Sequence, residues 1–350
     1  MLIKELAYIN YRGLNDSTEE LDRINHIVGK NGTGKTSIVE AAAVLLSGRS
    51  FQGITLNGLS NKENNFFSLS GVVAHTPNNT DKIKLAFSNG KKTHTLNSKR
   101  LGPQAAHKTF PLCLIDTNVI QASSGQPKYR RDLLDRAVFH VEPQHVTNHK
   151  KLNKCLSQRN RSISKGLGIR SVESWDETLA ELGESISKSR ISLIEEAKGE
   201  VAKISKKLLG ETISIKYERG WKEGSYLESL KKNIKKDLAI KRTSTGPQRE
   251  DFKIMSQERK ASGYYSHGQE KLASISFMLG LNIAVEKRKN RSSILIIDEA
   301  ESGLDSDSTN KLIMVLKSLN NQLLITSLPH HNITKLFSGN ILRASQKQRA

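Results

Sequence analysis

An α/β fold with a parallel sheet covered on both faces is predicted from three features of this 350-residue sequence. The runs INHIV (24–28), ILIID (294–298) and QLLIT (322–326) lack the polar alternation of a half-exposed strand, so burial on both faces is expected. Helical segments separate such runs at both ends of the chain, which is the alternation a parallel sheet requires. The first run leads through a glycine loop directly into strong helix formers, SIVEAAAVLL (37–46).

Taken in order, the first forty residues read as strand, turn, strand, glycine loop and helix. FSLSGVVAH (67–75) and KIKLAF (82–87) follow as short strands, and Asn89-Gly90 before KTHTL (92–96) signals a hairpin, so a small antiparallel sheet is expected beside the first β/α unit. TFPLCLID (109–116) is a further strand, closed by a polar loop with Gly125 and Pro127. Tyr129 to about Leu209 is helical in pattern and highly charged, broken at Pro143 and again by the polar patch Ser171–Glu173. ETISIKYERG (211–220) returns as a strand, 224–240 as one lysine-rich helix, Gly246-Pro247 as a turn and EDFKIM (250–255) as a strand. His267 to about Lys289 and Ser306 to Leu319 are helices flanking ILIID. This pattern places a head in two segments, 1–124 and 241–350, around a helical lobe at 125–240.

Composition narrows the function. Lys and Arg total 55 against 35 Asp and Glu, a net charge of +20, which favours a polyanionic partner such as nucleic acid. Aromatic residues make up 5%, too few for a stacking platform for single-stranded bases. Cys113 and Cys155 are too distant in sequence for a zinc module, and a reducing cytoplasm is expected. The charged N-terminal stretch does not resemble a signal peptide, and the run Leu272–Val285, at 14 residues, is too short to span a bilayer. The ten histidines are read as lacking metal-ligand spacing. Arg130-Arg131 with Lys128, and the pairs Lys150-Lys151, Lys206-Lys207, Lys231-Lys232 and Lys235-Lys236, suggest a surface that tracks phosphates without reading bases.

The chemistry lies in four motifs. Gly29-Lys30-Asn31-Gly32-Thr33-Gly34-Lys35-Thr36 fits the phosphate-cradling pattern G-x-x-x-x-G-K-[ST], with Ser37 next in the helix. Its glycines let backbone amides close on a phosphate, Lys35 would reach the β- and γ-phosphates, and the Thr36 hydroxyl would reach Mg²⁺. Asp298 ends the apolar run ILIID, where it would hold Mg²⁺, and Glu299 would polarise the attacking water. Ser266-His267-Gly268-Gln269 opens a helix, and Ser302-Gly303-Leu304-Asp305 follows the acidic pair.

In this order the motifs resemble the ATP-binding-cassette ATPases. NYRGL (10–14), SGQPKYRRDLLDRAVFHVEP (124–143), TGPQRED (245–251) and SHGQEKL (266–272) narrow the resemblance to the RecF family. The resemblance implies a P-loop ABC-type head with a mixed parallel sheet, an antiparallel β subdomain and a short helical second lobe. It implies ATP and Mg²⁺ as cofactors, with Ser266, Gly268 and Gln269 facing the nucleotide of a second subunit, Asp305 among the nucleotide-binding residues and Arg12 near the nucleotide. It further implies a weak, DNA-stimulated ATPase that dimerises on ATP and clamps duplex DNA near gaps. Such a protein helps RecO and RecR load RecA, with links to replication restart and the SOS response. His330-His331, just past QLLIT, stands where the class places a residue facing the γ-phosphate; either a sensing role for one of them or a pair of loop histidines fits that position. Asp298-Glu299 departs from the two aspartates common in the family. The ATP-driving subunit of a membrane transporter and an overcoming-lysogenisation-type nuclease are disfavoured, the first by charge and the RecF-like stretches, the second because no acidic metal domain is read.

Overall fold

A computed structural model describes residues 1–61, 65–76, 78–102, 105, 109–222, 224–299, 302–329 and 339–344. The chain divides into two compact units, Met1–Val119 with Lys289–Ala350, and Ile120–Arg288.

The first unit holds two sheets. Strands β1 (Leu2–Ile9), β2 (Ser17–Glu20), β4 (Phe66–Thr76), β5 (Asn79–Ser88), β6 (Lys91–Leu96) and β7 (Lys99–Arg100) form an antiparallel sheet in the order β2-β1-β4-β5-β6-β7. Asn89 and Gly90 both take positive φ, 50° and 76°, the paired left-handed geometry whose twist suits a two-residue hairpin. The second sheet contains β3 (Ile24–Val28), β8 (Leu112–Ile115), β12 (Ile294–Asp298), β13 (Gln322–Ser327) and β14 (Asn340–Arg343), in the order β14-β3-β13-β12-β8. All its pairings are parallel, and β3, β12 and β13 are buried at every residue, as their unbroken apolar runs require.

Helix α1 (Lys35–Ser47) contacts β12 and β13 of one sheet and β4 and β5 of the other. Ile38 to Leu46 are buried without exception, because the helix is enclosed by both sheets. Ala41-Ala42-Ala43 at its centre lets two sheets approach one helix. Gln322 also ties the sheets together: it is fully buried, its Nε2 donates to Ile3 O (2.7 Å) and Asp22 O (2.8 Å), and its Oε1 accepts from Ile3 N (2.7 Å). The antiparallel sheet thus shares the core of the unit and includes the N-terminal strand, which is more than a small appended subdomain.

The second unit contains α2 (Pro127–Val141), α3 (His145–Ser164), α4 (Asp176–Leu209), α5 (Tyr226–Lys232), α6 (Ile234–Ile240) and α7 (His267–Lys289), with a three-stranded antiparallel sheet of β9 (Ser214–Glu218), β10 (Asp251–Ser256) and β11 (Arg259–Lys260). The lobe therefore extends beyond residue 240 to Arg288. Phe252, Ile254, Ala273 and Phe277 share one buried cluster with Leu133, Leu193 and Val201, so β10 and α7 pack with the helices that precede them. Ile169–Glu173 is itself a helical turn, and the break there falls at Gly166 and Gly168, both with positive φ. The segment 224–240 forms two helices divided at Asn233. No described helix is long and apolar enough to cross a membrane.

Candidate functional site

The parallel sheet brings the glycine loop and the acidic strand together. β3 and β12 flank β13, so the loop after Val28 and the carboxylate of Asp298 both emerge at the C-terminal edge of the parallel sheet, on either side of β13, where open α/β sheets place ligands. Thr36 Oγ1 donates to Asp298 Oδ1 at 3.1 Å, which joins the two motifs directly.

The loop has the construction of an anion cradle. Gly34, the N-cap of α1, lies at φ 96°, which an L side chain rarely adopts, and no side chain caps the helix. No acidic residue stands in the first turn, and the opening amides of an α-helix have no intrahelical acceptor, so donors and partial positive charge are left for a phosphate. Lys35 Nζ donates to Gly29 O (2.8 Å) and Lys30 O (3.0 Å), folding across the loop that it would leave to meet a phosphate. Lys30, Asn31 and Gly32 are exposed and Ser37 is buried in the first turn of the helix.

Asp298 is 7% exposed, and burial raises its pKa above the usual carboxylate range. Bonds from Thr326 and Thr36 oppose that shift, while the charges of Glu299 and Asp116 add to it. A carboxyl that holds its proton more tightly in the fold favours the fold most at low pH, and that contribution is lost as pH rises through its folded value. Asp298→Asn can keep both hydroxyl contacts without the buried charge. We therefore expect it to raise the melting temperature of the nucleotide-free chain by a few degrees at pH 8 and by less at pH 5. Equal melting at both pH values would show that the charge carries no such cost.

Sequence reading did not mark Thr326 or Asp116 as site residues. Thr326 is the parallel partner of Asp298 in β13; its hydroxyl donates to Asp298 Oδ1 (2.7 Å) and accepts from Glu299 N (3.0 Å). Glu299 itself sits at φ 52°, a left-handed conformation that turns its side chain out of the strand direction. Asp116 follows β8, whose Ile115 pairs with Ile297. The signal was present in the sequence, since LCLID and ILIID end alike.

Arg12, also at positive φ, pairs through Nη1 with the buried carboxylate of Glu40 on α1 and with Gln52 Oε1 (2.7 Å), which holds it on the helix that follows the loop. Asp305 is the N-cap of α8 (Ser306–Lys317), its Oδ1 accepting from Ser308 N at 2.7 Å. Ser266, Gly268 and Gln269 belong to the second unit. Ser266 and Gln269 form a reciprocal cap on α7: Gln269 N donates to Ser266 Oγ (3.4 Å) and Ser266 N to Gln269 Oε1 (3.0 Å). The Ser266 hydroxyl is an acceptor in this arrangement and keeps its own proton to donate. His330 and His331 lie outside the described residues.

The basic residues divide. Lys150, Lys151, Lys206, Lys207, Lys231, Lys232, Lys235 and Lys236 are exposed. Arg130 is not available to a phosphate: it is 7% exposed and forks onto both oxygens of Asp251 at 2.7 Å, fixing α2 to β10. Arg131 donates to Glu250 O at 2.8 Å.

A phosphate-cradling loop joined to a strand-end carboxylate, with the loop's helix enclosed between a parallel and an antiparallel sheet, defines an ABC-type ATPase head. The chain belongs to the RecF/RecN/SMC N-terminal domain family, which matches residues 2–349. The DNA replication and repair protein RecF of Haemophilus influenzae is 27% identical over 350 residues, covering 96% of this chain and 95% of that protein. The protein of the same name from Vibrio parahaemolyticus is 29% identical over 324 residues, covering 90% and 89%. Among solved structures, the recombination mediator protein RecF–ATP of the RecFOR pathway superposes with a TM-score of 0.85 at 26% identity, covering 98% of this chain and 95% of that one. The Smc head domain of Pyrococcus furiosus, at 15% identity and a TM-score of 0.59 over 99% and 94%, shares the fold. The RecF resemblance and the ABC-type fold expected from the motifs are borne out.

Proposed function

We propose that this chain is an ATP-gated DNA-binding protein of recombinational gap repair. The Thr36–Asp298 contact carries the reading, because it places a hydroxyl and a carboxylate side by side at the mouth of an uncapped phosphate loop. Thr36 and Asp298 are the residues that would hold Mg²⁺, which when bound neutralises charge on the terminal phosphates. Lys35 leaves the carbonyls of Gly29 and Lys30 to pair with the same phosphates. Glu299 accepts the proton of the attacking water. Thr326 holds Asp298 and the Glu299 amide in register.

Two chains would close on two nucleotides, with Ser266, Gly268 and Gln269 of one chain donating to the γ-phosphate bound by the other and Asp305 and Arg12 bordering the same site. The exposed lysines and the +20 charge support binding to duplex and gapped DNA through its phosphates. Slow, DNA-stimulated hydrolysis would then open the clamp. In this reading the chain acts in the cytoplasm beside RecR and RecO in loading RecA; the relatives named as RecF, including one described in the RecFOR pathway, support a place in DNA repair.

The test is a gel shift on gapped duplex with and without ATP, run beside Lys35→Ala. ATP should strengthen retention of the parent, whereas Lys35→Ala, without the cation that the glycine loop places on the terminal phosphates, should bind no ATP and show no ATP-dependent shift. Equal ATP affinity of the two chains by calorimetry would reject the assignment.

A further inference from the structure

The strongest unassigned cluster lies in the second unit, where α2 and α3 meet. His145 and His149 stand four residues apart on α3 and so share one helix face, although the histidine spacing did not suggest ligands when read without a third donor. That donor is Asp135 on α2. His145 Nε2 lies 3.0 Å from Asp135 Oδ1, His149 Nε2 lies 3.3 Å from the same oxygen, and the two nitrogens lie 3.2 Å apart.

These three donor atoms form a nearly equilateral triangle. Tetrahedral zinc, with metal–nitrogen bonds of about 2.0–2.1 Å, separates neighbouring donors by about 3.3 Å. Two nitrogens carry at most two protons, so hydrogen bonds can serve two of the three short edges, and Oδ1 would then take both in addition to the bond from Arg190 Nε. We propose that Asp135, His145 and His149 form a zinc site that clips α2 to α3, with the fourth position open to water.

The surroundings are compatible with a dication. Arg190 forks across both oxygens of Asp135 at 2.8 Å, whereas both imidazoles approach Oδ1 alone, so the guanidinium takes one edge of the carboxylate and leaves a lone pair for the metal. Arg190 is also bonded to Glu250 at 2.6 Å, so one guanidinium serves two carboxylates and one negative charge is left uncancelled in that triad. The Phe139 ring lies 5.3 Å from the His145 ring and 5.8 Å from that of His149, restricting both imidazoles. His145 is 1% exposed at its side chain and His149 19%, which leaves one side of the site open for metal entry. His145 Nδ1 is buried without a partner among the described residues, so it would hold its proton unpaired. The affinity should accordingly fall below that of zinc sites whose histidines are braced by a carbonyl or carboxylate.

The full chain, stripped by chelator and freed of nucleotide, is titrated with Zn²⁺ by calorimetry and with Co²⁺ by visible absorption. One equivalent per chain is expected, with the intense bands of four-coordinate Co²⁺ and a melting temperature raised by Zn²⁺. His149→Ala and His149→Gln, at a partly exposed position, should keep the fold, weaken Zn²⁺ by more than the roughly 100-fold that losing an outer-shell partner costs, because a direct ligand is lost, and abolish both signals. Asp298→Asn, which alters the other described carboxylate placed for a divalent ion, should bind Zn²⁺ as the parent does. No stoichiometric Zn²⁺ binding in the parent, an unchanged Co²⁺ spectrum in either His149 variant, or loss of binding in Asp298→Asn overturns the proposal.

Discussion

Glu299→Gln is expected to bind ATP and to dimerise, yet to turn over about 10²- to 10⁴-fold more slowly, the range that a positioned general base contributes. The amide preserves size and the backbone bond from Glu299 N to Thr326 Oγ1 (3.0 Å), so the left-handed turn at φ 52° is undisturbed. It removes only the capacity to accept a proton from water. Asp298, held by Thr36 and Thr326, keeps its position, and nucleotide affinity should stay close to that of the parent. A long-lived ATP-bound dimer on DNA is the accompanying signature, read by sedimentation and by a chase with unlabelled duplex. Hydrolysis at the parental rate would remove Glu299 from the mechanism and leave Asp298 as the functional acid.

Ser266→Arg should separate binding from assembly. Ser266 and Gln269 cap α7 reciprocally, and losing such a cap costs about 1 kcal/mol, which leaves a unit with a core of this size folded. The glycine loop lies in the other unit, so a single chain should bind ATP as the parent does. In the proposed dimer the exposed serine meets the partner's γ-phosphate, and a long cation cannot occupy that space. Dimerisation with ATP should be lost, and hydrolysis with it. Ser266→Ala, which removes only the hydroxyl, should dimerise weakly and fall between the two. Sedimentation with ATP beside a binding titration decides the matter. Ser266→Arg chains that still pair, or that fail to bind ATP, would reduce the motif to a helix cap.

Much of the nucleotide site was legible because its parts are short and local. A glycine at Gly34 is demanded by backbone geometry within a few residues, and Asp298 ends a strand whose unbroken apolar run already implies burial. The Asn89-Gly90 hairpin was equally visible, since its two positive φ angles suit that dipeptide. The turn at Asn97-Ser98 and that at Gln257-Glu258 use the same geometry without glycine and could not be read in the same way.

The amino-acid sequence by itself determined the cradle, the acidic strand end, the helix-capping signature and their order along the chain. Tertiary structure alone decided which distant groups meet. Closure of two sheets around α1 buried that helix from Ile38 to Leu46, and parallel pairing of β12 with β13 and β8 brought Thr326 and Asp116 to Asp298. Packing of β10 and α7 against α2 and α4 moved the lobe boundary to Arg288 and turned Arg130 from an expected phosphate contact into a buried partner of Asp251. The meeting of α2 with α3 placed Asp135 beside two histidines that had shown no ligand spacing. Backbone preference and motif spacing act over a turn or a loop, whereas these pairings depend on which apolar surfaces close on one another across the chain.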